Sequence, residues 1–471
     1  MLTSLARMGA VALALLGLGT GSASATTTVA LDVRPVSALR DTTLTRFEIT
    51  GLTRHQVVAV EVRSDDLPGA DPWTATARFR ADARGRVDLR TAAPLDGPYR
   101  GADVMGLLWS LNTVNAPVPG GEFLGLGVVD AVFFGAIPLG DWTATVTVRD
   151  TGGAPLATRR LIRRSQSPGH PVTHERIQPT GTYSIDVWYP SQQRPGNTVV
   201  LLPGGASVVP NGTCEMLAAR GHFCAAAPLA GSGMPGAPEQ WVEIPVEFVR
   251  SEIEAVLAHP AAVGDEVVLG GPSGGAVGTL LTAQTYPELV KGIILAEPED
   301  WVVGGFAGGA PVGDRAEWSR NGTGLPFIPW DLAAWQRVLD AGPPFRLGEL
   351  ISASYRQATR QEIAASRLRV DAVDGPVFMS VGAESDAVCT CLASARRLAQ
   401  RFRAAGNTGV DLYVGPRSGH TTGYAPAWTP RPGTVVGGVQ LIGGTVEGNS
   451  RDNDVAWRLL LDWLRHDGIR Q

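Results

Sequence analysis

Lysine is almost missing from this chain: Lys291 stands alone among 40 basic residues. Long apolar runs and an excess of one charge are missing too, the net charge being near −5 with only 18% charged residues. Without a basic surface, neither nucleic acid nor an anionic membrane is expected as a partner. Without a sufficiently long apolar stretch, no stable membrane insertion is expected either. The lysine deficit, beside 58 glycines and abundant alanine, reads as coding bias rather than function. The four cysteines, Cys214, Cys224, Cys389 and Cys391, are too few and too badly spaced for a zinc site. No metal and no cofactor are expected.

The first 25 residues read as an export signal. Arg7 is a sparse positive start, Val11 to Leu18 an apolar core, and Ala23-Ser24-Ala25 a small-residue cleavage site. The expected location is therefore outside the cytoplasm, secreted or periplasmic. For an exported chain, four cysteines suggest up to two disulfides, in any of three pairings.

Residues 26–164 read as a β domain. Val29, Leu31 and Val33 alternate with polar residues, as do Phe47 and Ile49, Val58 to Val62, Val87 and Leu89, and Trp142 to Val148. Such period-two patterning, broken by Gly, Asp and Pro, marks half-buried strands of a sandwich. Ser165 to His174, with Pro168, Gly169 and Pro171, reads as a linker, and His170 and His174 as solvated.

From Tyr183 the pattern changes to alternating strands and helices, so 165–471 reads as an α/β domain. Strand-like runs are Thr198 to Leu202, His222 to Ala227, Glu266 to Leu269, Gly292 to Leu295, Val377 to Val381 and Val410 to Val414. Helical stretches include Val246 to Leu257 and Asp454 to His466.

The Val267-Val268-Leu269 run ends in Gly271-Pro272-Ser273-Gly274-Gly275, and a small-residue helical segment follows. Strand, tight turn and helix around Gly-x-Ser-x-Gly form a nucleophile elbow. Its glycines let Ser273 take a strained backbone, and the amide of Gly274 falls where it can hold an oxyanion. The expected triad is Ser273, Asp386 and His420: Asp386 follows the strand Val377 to Val381, and His420 lies in the loop after the next strand. That is the chain order of α/β-hydrolases. Glu384 is the rival acid. A second oxyanion amide is expected from Pro203-Gly204-Gly205-Ala206-Ser207, at Gly205 or Ala206.

Several stretches resemble the acyl-CoA thioesterases related to bile acid-CoA:amino acid N-acyltransferase. In the first domain these are Gly51-Leu52-Thr53 with Gln56-Val57-Val58, the segment Ala77 to Leu89, and Gly97-Pro98-Tyr99 with Met105-Gly106-Leu107-Leu108-Trp109-Ser110-Leu111. In the second they are Glu252 to Pro260 with the elbow, Val373-Asp374-Gly375-Pro376-Val377, Ser418-Gly419-His420, and Gly443-Gly444-Thr445 with Trp457. The resemblance implies an immunoglobulin-like sandwich followed by an α/β-hydrolase. Gly274 stands where the family usually has lysine or glutamine, and Gly382-Ala383-Glu384-Ser385-Asp386 departs from its Gly-x-Asp-Asp.

The function expected is hydrolysis of a small-molecule acyl thioester or ester through an acyl-Ser273 intermediate. The alternatives are acyl transfer to an amine and a non-catalytic binding protein of the same fold. Trp301, Phe306, Trp318, Phe327, Trp330 and Trp335, in the long stretch after the strand at Gly292, read either as a lid over the elbow that favours hydrophobic acyl groups or as ordinary core.

Overall fold

The computed structural model describes residues 28–67, 71–111, 139–179, 183–205, 207, 209–422, 435–436 and 440–466. Residues 1–25, expected to be an export signal, and Ala206 lie outside these residues.

The N-terminal region is built from two sheets over one core. Ala30–Arg34, Arg46–Thr50 and Val87–Asp88 form one; Ser37–Leu39, Pro155–Arg164, Trp142–Arg149, Val57–Ser64 and Trp73–Arg80 form the other. Phe47, Ile49, Val58, Val60, Val62, Phe79 and Val146, the inward positions of the alternating pattern, meet in that core. The Gly97 to Leu111 motif has a packing role here. A Cβ on Gly106 would lie 2.3 Å from the Tyr99 ring. The buried Trp109 indole donates to Asp103 at 2.8 Å, and Asp103 also takes a bond from Arg451 of the second region at 2.9 Å.

The main sheet of the second region has eight strands: β1 (Val172–Ile177), β2 (Ile185–Pro190), β3 (Thr198–Leu201), β4 (Phe223–Ala226), β5 (Val267–Pro272), β6 (Val290–Ala296), β7 (Val377–Gly382) and β8 (Val410–Gly415). Their spatial order is 1-2-4-3-5-6-7-8. β1 and β2 are antiparallel additions; from β4 to β8 every pairing is parallel. A parallel sheet is covered on both faces, which explains the unbroken apolar runs of β5 and β6. Helices α1 (Asn211–Ala219), α2 (Val246–Leu257), α3 (Gly274–Thr285), α4 (Leu332–Ala341), α5 (Leu347–Gln357), α6 (Arg360–Ser366), α7 (Cys391–Ala404) and α8 (Val446–His466) follow in chain order.

Three sequence expectations change. β1 begins at Val172, inside the expected linker, and His174 is not free: its Nε2 lies 2.8 Å from Asp186 and its ring stacks on Trp188. α8 begins at Val446 rather than Asp454, because buried Asn449 and Asn453 make a polar stretch serve the fold. The aromatics after β6 divide. Trp318 is core, packed where a Cβ on Gly278 of α3 would lie 2.3 Å from its ring, and Phe327 packs against the same core. Trp335 packs edge-on against Phe306, while Trp301, Phe306 and Trp330 face the elbow.

The two regions are pinned together. Arg40, fully buried, reaches Glu215 of α1 at 2.6 Å, and Asp41 holds both Arg220 and the indole of Trp457 in α8. Cys214 pairs with Cys224, tying α1 to β4, and Cys389 pairs with Cys391 at the start of α7. No helix among the described residues is long and apolar enough to cross a membrane.

Candidate active site

The turn after β5 carries Ser273 at φ 52° and ψ −121°, a left-handed conformation unusual for a residue with a side chain. The flanking glycines permit it. A Cβ on Gly271 would lie 2.6 Å from the Gly275 carbonyl oxygen, and one on Gly275 2.3 Å from that of Pro203. The amide of Ser273 is anchored to the Ala296 carbonyl at 2.9 Å. Gly274 opens α3, where the first-turn amides have no intrahelical acceptor. Its missing side chain has a local cause too, since a Cβ there would stand 2.5 Å from the Trp241 ring. Ser207 holds that ring in place, accepting from the Trp241 indole at 3.1 Å.

Ser273, Gly274 and Gly205 line one pocket of about 160 Å³. Trp241, Trp301, Phe306 and Trp330 give it aromatic walls; Leu350 and Ile351 of α5 and Val388 add aliphatic ones. Two carboxyls, Glu299 and Glu317, and the Cys389 sulfur also reach it.

His420 lies in the loop after β8, 2% exposed. Backbone and side-chain bonds pin this loop: His420 N to Ile442 O at 2.8 Å, Gly419 N to Asn449 Oδ1 at 2.8 Å, Arg417 N to Asp452 Oδ2 at 2.9 Å. His420 Nδ1 faces Cys389 Sγ at 3.2 Å, Cys391 Sγ at 4.0 Å and Glu297 Oε2 at 3.9 Å. Burial pushes the imidazole down to about 3, so it is neutral at ordinary pH. Ser273 and His420 are not hydrogen-bonded to each other among the described residues.

Glu297 was not singled out from the sequence. It follows β6 directly, has φ 51°, and is fully buried. Oε1 accepts from the amides of Gly382 at 2.9 Å and Thr422 at 3.0 Å, which leaves Oε2 toward His420 without a hydrogen bond. Burial pushes this carboxyl up to about 8, against the pull of those amides. An acid directly after the strand beside the nucleophile strand was the available signal, hidden among Glu297, Glu299 and Asp300. Glu384 is exposed, and its amide donates to Ser418 O at 3.0 Å. Asp386 lies in the short 3-10 turn Ser385–Ala387, its side chain outside the description.

Cys389, Cys391 and His420 place their ligand atoms within 4.8 Å of one another. The disulfide takes up both thiolates, and thiolates are what a metal of this class binds.

The strand order, the strained serine after β5 and the histidine after β8 define an α/β-hydrolase. Comparison with known proteins narrows this. Residues 43–129 match the family described as "Acyl-CoA thioester hydrolase/BAAT N-terminal region". Human bile acid-CoA:amino acid N-acyltransferase is 28% identical over 239 residues, 51% of this chain and 54% of that protein. Human acyl-coenzyme A thioesterase 6 is 29% identical over 232 residues, 49% of this chain and 51% of that protein. In these matches the chain spans about half the length of its curated relatives. Mouse acyl-coenzyme A amino acid N-acyltransferase 1 is 23% identical over 448 residues, covering 93% of this chain and 97% of that protein. The resemblance to the acyl-CoA thioesterase and N-acyltransferase family, read from the motifs, is thus found in the comparisons as well.

Proposed function

We propose that this protein is an exported serine hydrolase of acyl thioesters or esters, working through an acyl-Ser273 intermediate. The observation that carries this reading is the left-handed Ser273 at an elbow that opens into an apolar pocket. His420 takes the Ser273 proton as the oxygen attacks the acyl carbonyl, then returns it to the departing thiol or alcohol. The amide of Gly274, with one from Gly205 or Ala206, holds the oxyanion. Water activated by the same imidazole then releases the acid.

For the carboxyl that orients His420 we favour Glu297, whose free oxygen faces Nδ1, over Asp386 and Glu384. Residues 1–25 direct export, two disulfides suit an oxidising compartment, and the N-terminal sheets form an immunoglobulin-like sandwich. Acyl transfer to an amine is the second reading, favoured by the relatives named as N-acyltransferases.

Labelling with a fluorophosphonate tests the central step. Wild type should label and Ser273→Ala should not; equal labelling of both, or of neither, rejects the reading. Ser273→Ala and His420→Ala should each lower kcat/KM by about 10⁴-fold or more, and the double variant little further, because the residues act as a unit. Addition of glycine or taurine should leave the free acid as the product; an N-acyl product would establish transfer instead.

A further inference from the structure

The pocket beside Ser273 is apolar except for its two carboxyls, and these are not alike. Glu299 is occupied by the fold, accepting from Thr390 N at 2.8 Å and Ser394 Oγ at 2.7 Å. Glu317 is 8% exposed, lines the pocket, and forms no ion pair among the described residues. Its Oε1 lies 3.3 Å from where a Cβ on Gly274 would stand, beside the nucleophile. Among the described residues, no lysine or arginine lines the pocket. Burial pushes the Glu317 carboxyl up to about 8, and the Trp318 indole offsets this only in part. Burying such a group without a counter-charge costs stability, so its place at the pocket wall calls for something that enters from outside.

The chemistry of the walls says what. An anionic group would meet no counter-charge here, whereas a cation can draw the proton off Glu317 and pair with it. A plain hydrocarbon would leave Glu317 desolvated and unpaired. Aromatic faces with one carboxylate are the surroundings that stabilise an alkylammonium, by attraction to the ring quadrupoles and by direct charge. The volume limits its size: a cavity of about 150 Å³ holds a molecule as large as benzene, so the enclosed part is compact. We propose that this pocket recognises an acyl group bearing an alkylammonium centre, with Glu317 as its counter-ion and Trp241 and Trp330 among its aromatic walls. This rests on the hydrolase reading above and specifies its substrate class.

The test uses two N-acetylcysteamine thioesters of matched shape, 4-(trimethylammonio)butanoyl and 5,5-dimethylhexanoyl, at about pH 9, where Glu317 is mostly ionised. Wild type should prefer the cation by about tenfold or more in kcat/KM. Glu317→Gln should abolish that preference while changing the neutral substrate by less than about threefold. Equal turnover of the two thioesters by wild type, or a preference that survives Glu317→Gln, overturns the proposal.

A binding measurement keeps it separate from the catalytic reading. The corresponding trimethylammonium and tert-butyl N-methylamides are titrated against Ser273→Ala, followed by tryptophan fluorescence. Tighter binding of the cation, lost with Glu317→Gln, supports the site even if neither thioester is hydrolysed. Equal binding rejects it even if both are.

Discussion

Glu297 holds two backbone amides with one oxygen and turns the other toward His420. A carboxyl in that position fixes the ring tautomer and stabilises the imidazolium that forms as Ser273 is acylated. If it does so, Glu297→Gln should lower kcat by about 10³-fold or more and leave KM nearly unchanged. Asp386→Asn and Glu384→Gln should then lose much less. The opposite ranking, measured on the three purified variants, would return the role to the acid after β7. Because burial pushes Glu297 up to about 8, acylation should speed up as pH rises through that value. The rise should vanish in Glu297→Gln and persist in Glu317→Gln, which separates the two buried carboxyls.

Elements rather than single residues hold His420 in place. The start of α8 holds the loop after β8 through side chains: Asn449 accepts from the Gly419 amide and the Thr421 hydroxyl, Asp452 accepts from the Arg417 amide, and Asn453 donates to the Thr421 hydroxyl. Midway along the same helix, the Trp457 indole donates to Asp41 of the N-terminal region. The N-terminal region therefore braces the helix that braces the His420 loop. The Arg40–Glu215 pair is a deeply buried ion pair across that boundary, with side-chain exposures of 0% and 8%. Removing Arg40 strands a buried carboxylate, so Arg40→Ala should cost about 3–5 kcal/mol in chemical denaturation. Arg40→Ala together with Glu215→Ala should cost less than the sum of the two single changes. An additive result would show that the pair is not coupled.

Across the whole molecule the buried titratable groups shape the pH dependence of stability. Glu297 and Glu317, pushed up to about 8, and Glu299, pushed up to about 7, hold protons that the unfolded chain releases above 4.5. Their effect is to reduce stability as pH rises from 4.5 through 8. His222 and His420, pushed down to about 4 and about 3, stay neutral where the unfolded chain takes up protons below 6.5. Their effect is to reduce stability as pH falls through that range. With three such carboxyls against two histidines, the melting temperature should be highest near about pH 4.5–5 and fall toward pH 8, and Glu317→Gln should flatten that fall. A melting temperature constant from about pH 5 to 9, in wild type or equally sloped in the variant, would contradict this.

The sequence by itself determined what depends on neighbours along the chain. Alternation marked the sandwich strands at Val58 to Val62 and Trp142 to Val148, since one buried face needs an apolar residue at every second position. Unbroken apolar runs marked β5 and β6, and the elbow was legible because its strain and its glycines all lie within five residues. What only the tertiary structure decided depends on distant segments meeting. Glu297 stands 123 positions before His420 in number, yet parallel pairing of β6, β7 and β8 brings the ends of their strands to one edge. Glu317, Trp241 and Asn449 sit in no motif that the sequence displays. Only burial by chain folded over the elbow makes the first a carboxyl at a pocket wall and the second its aromatic neighbour. Burial against the histidine loop makes the third an anchor, because a polar side chain takes its meaning from what desolvates it.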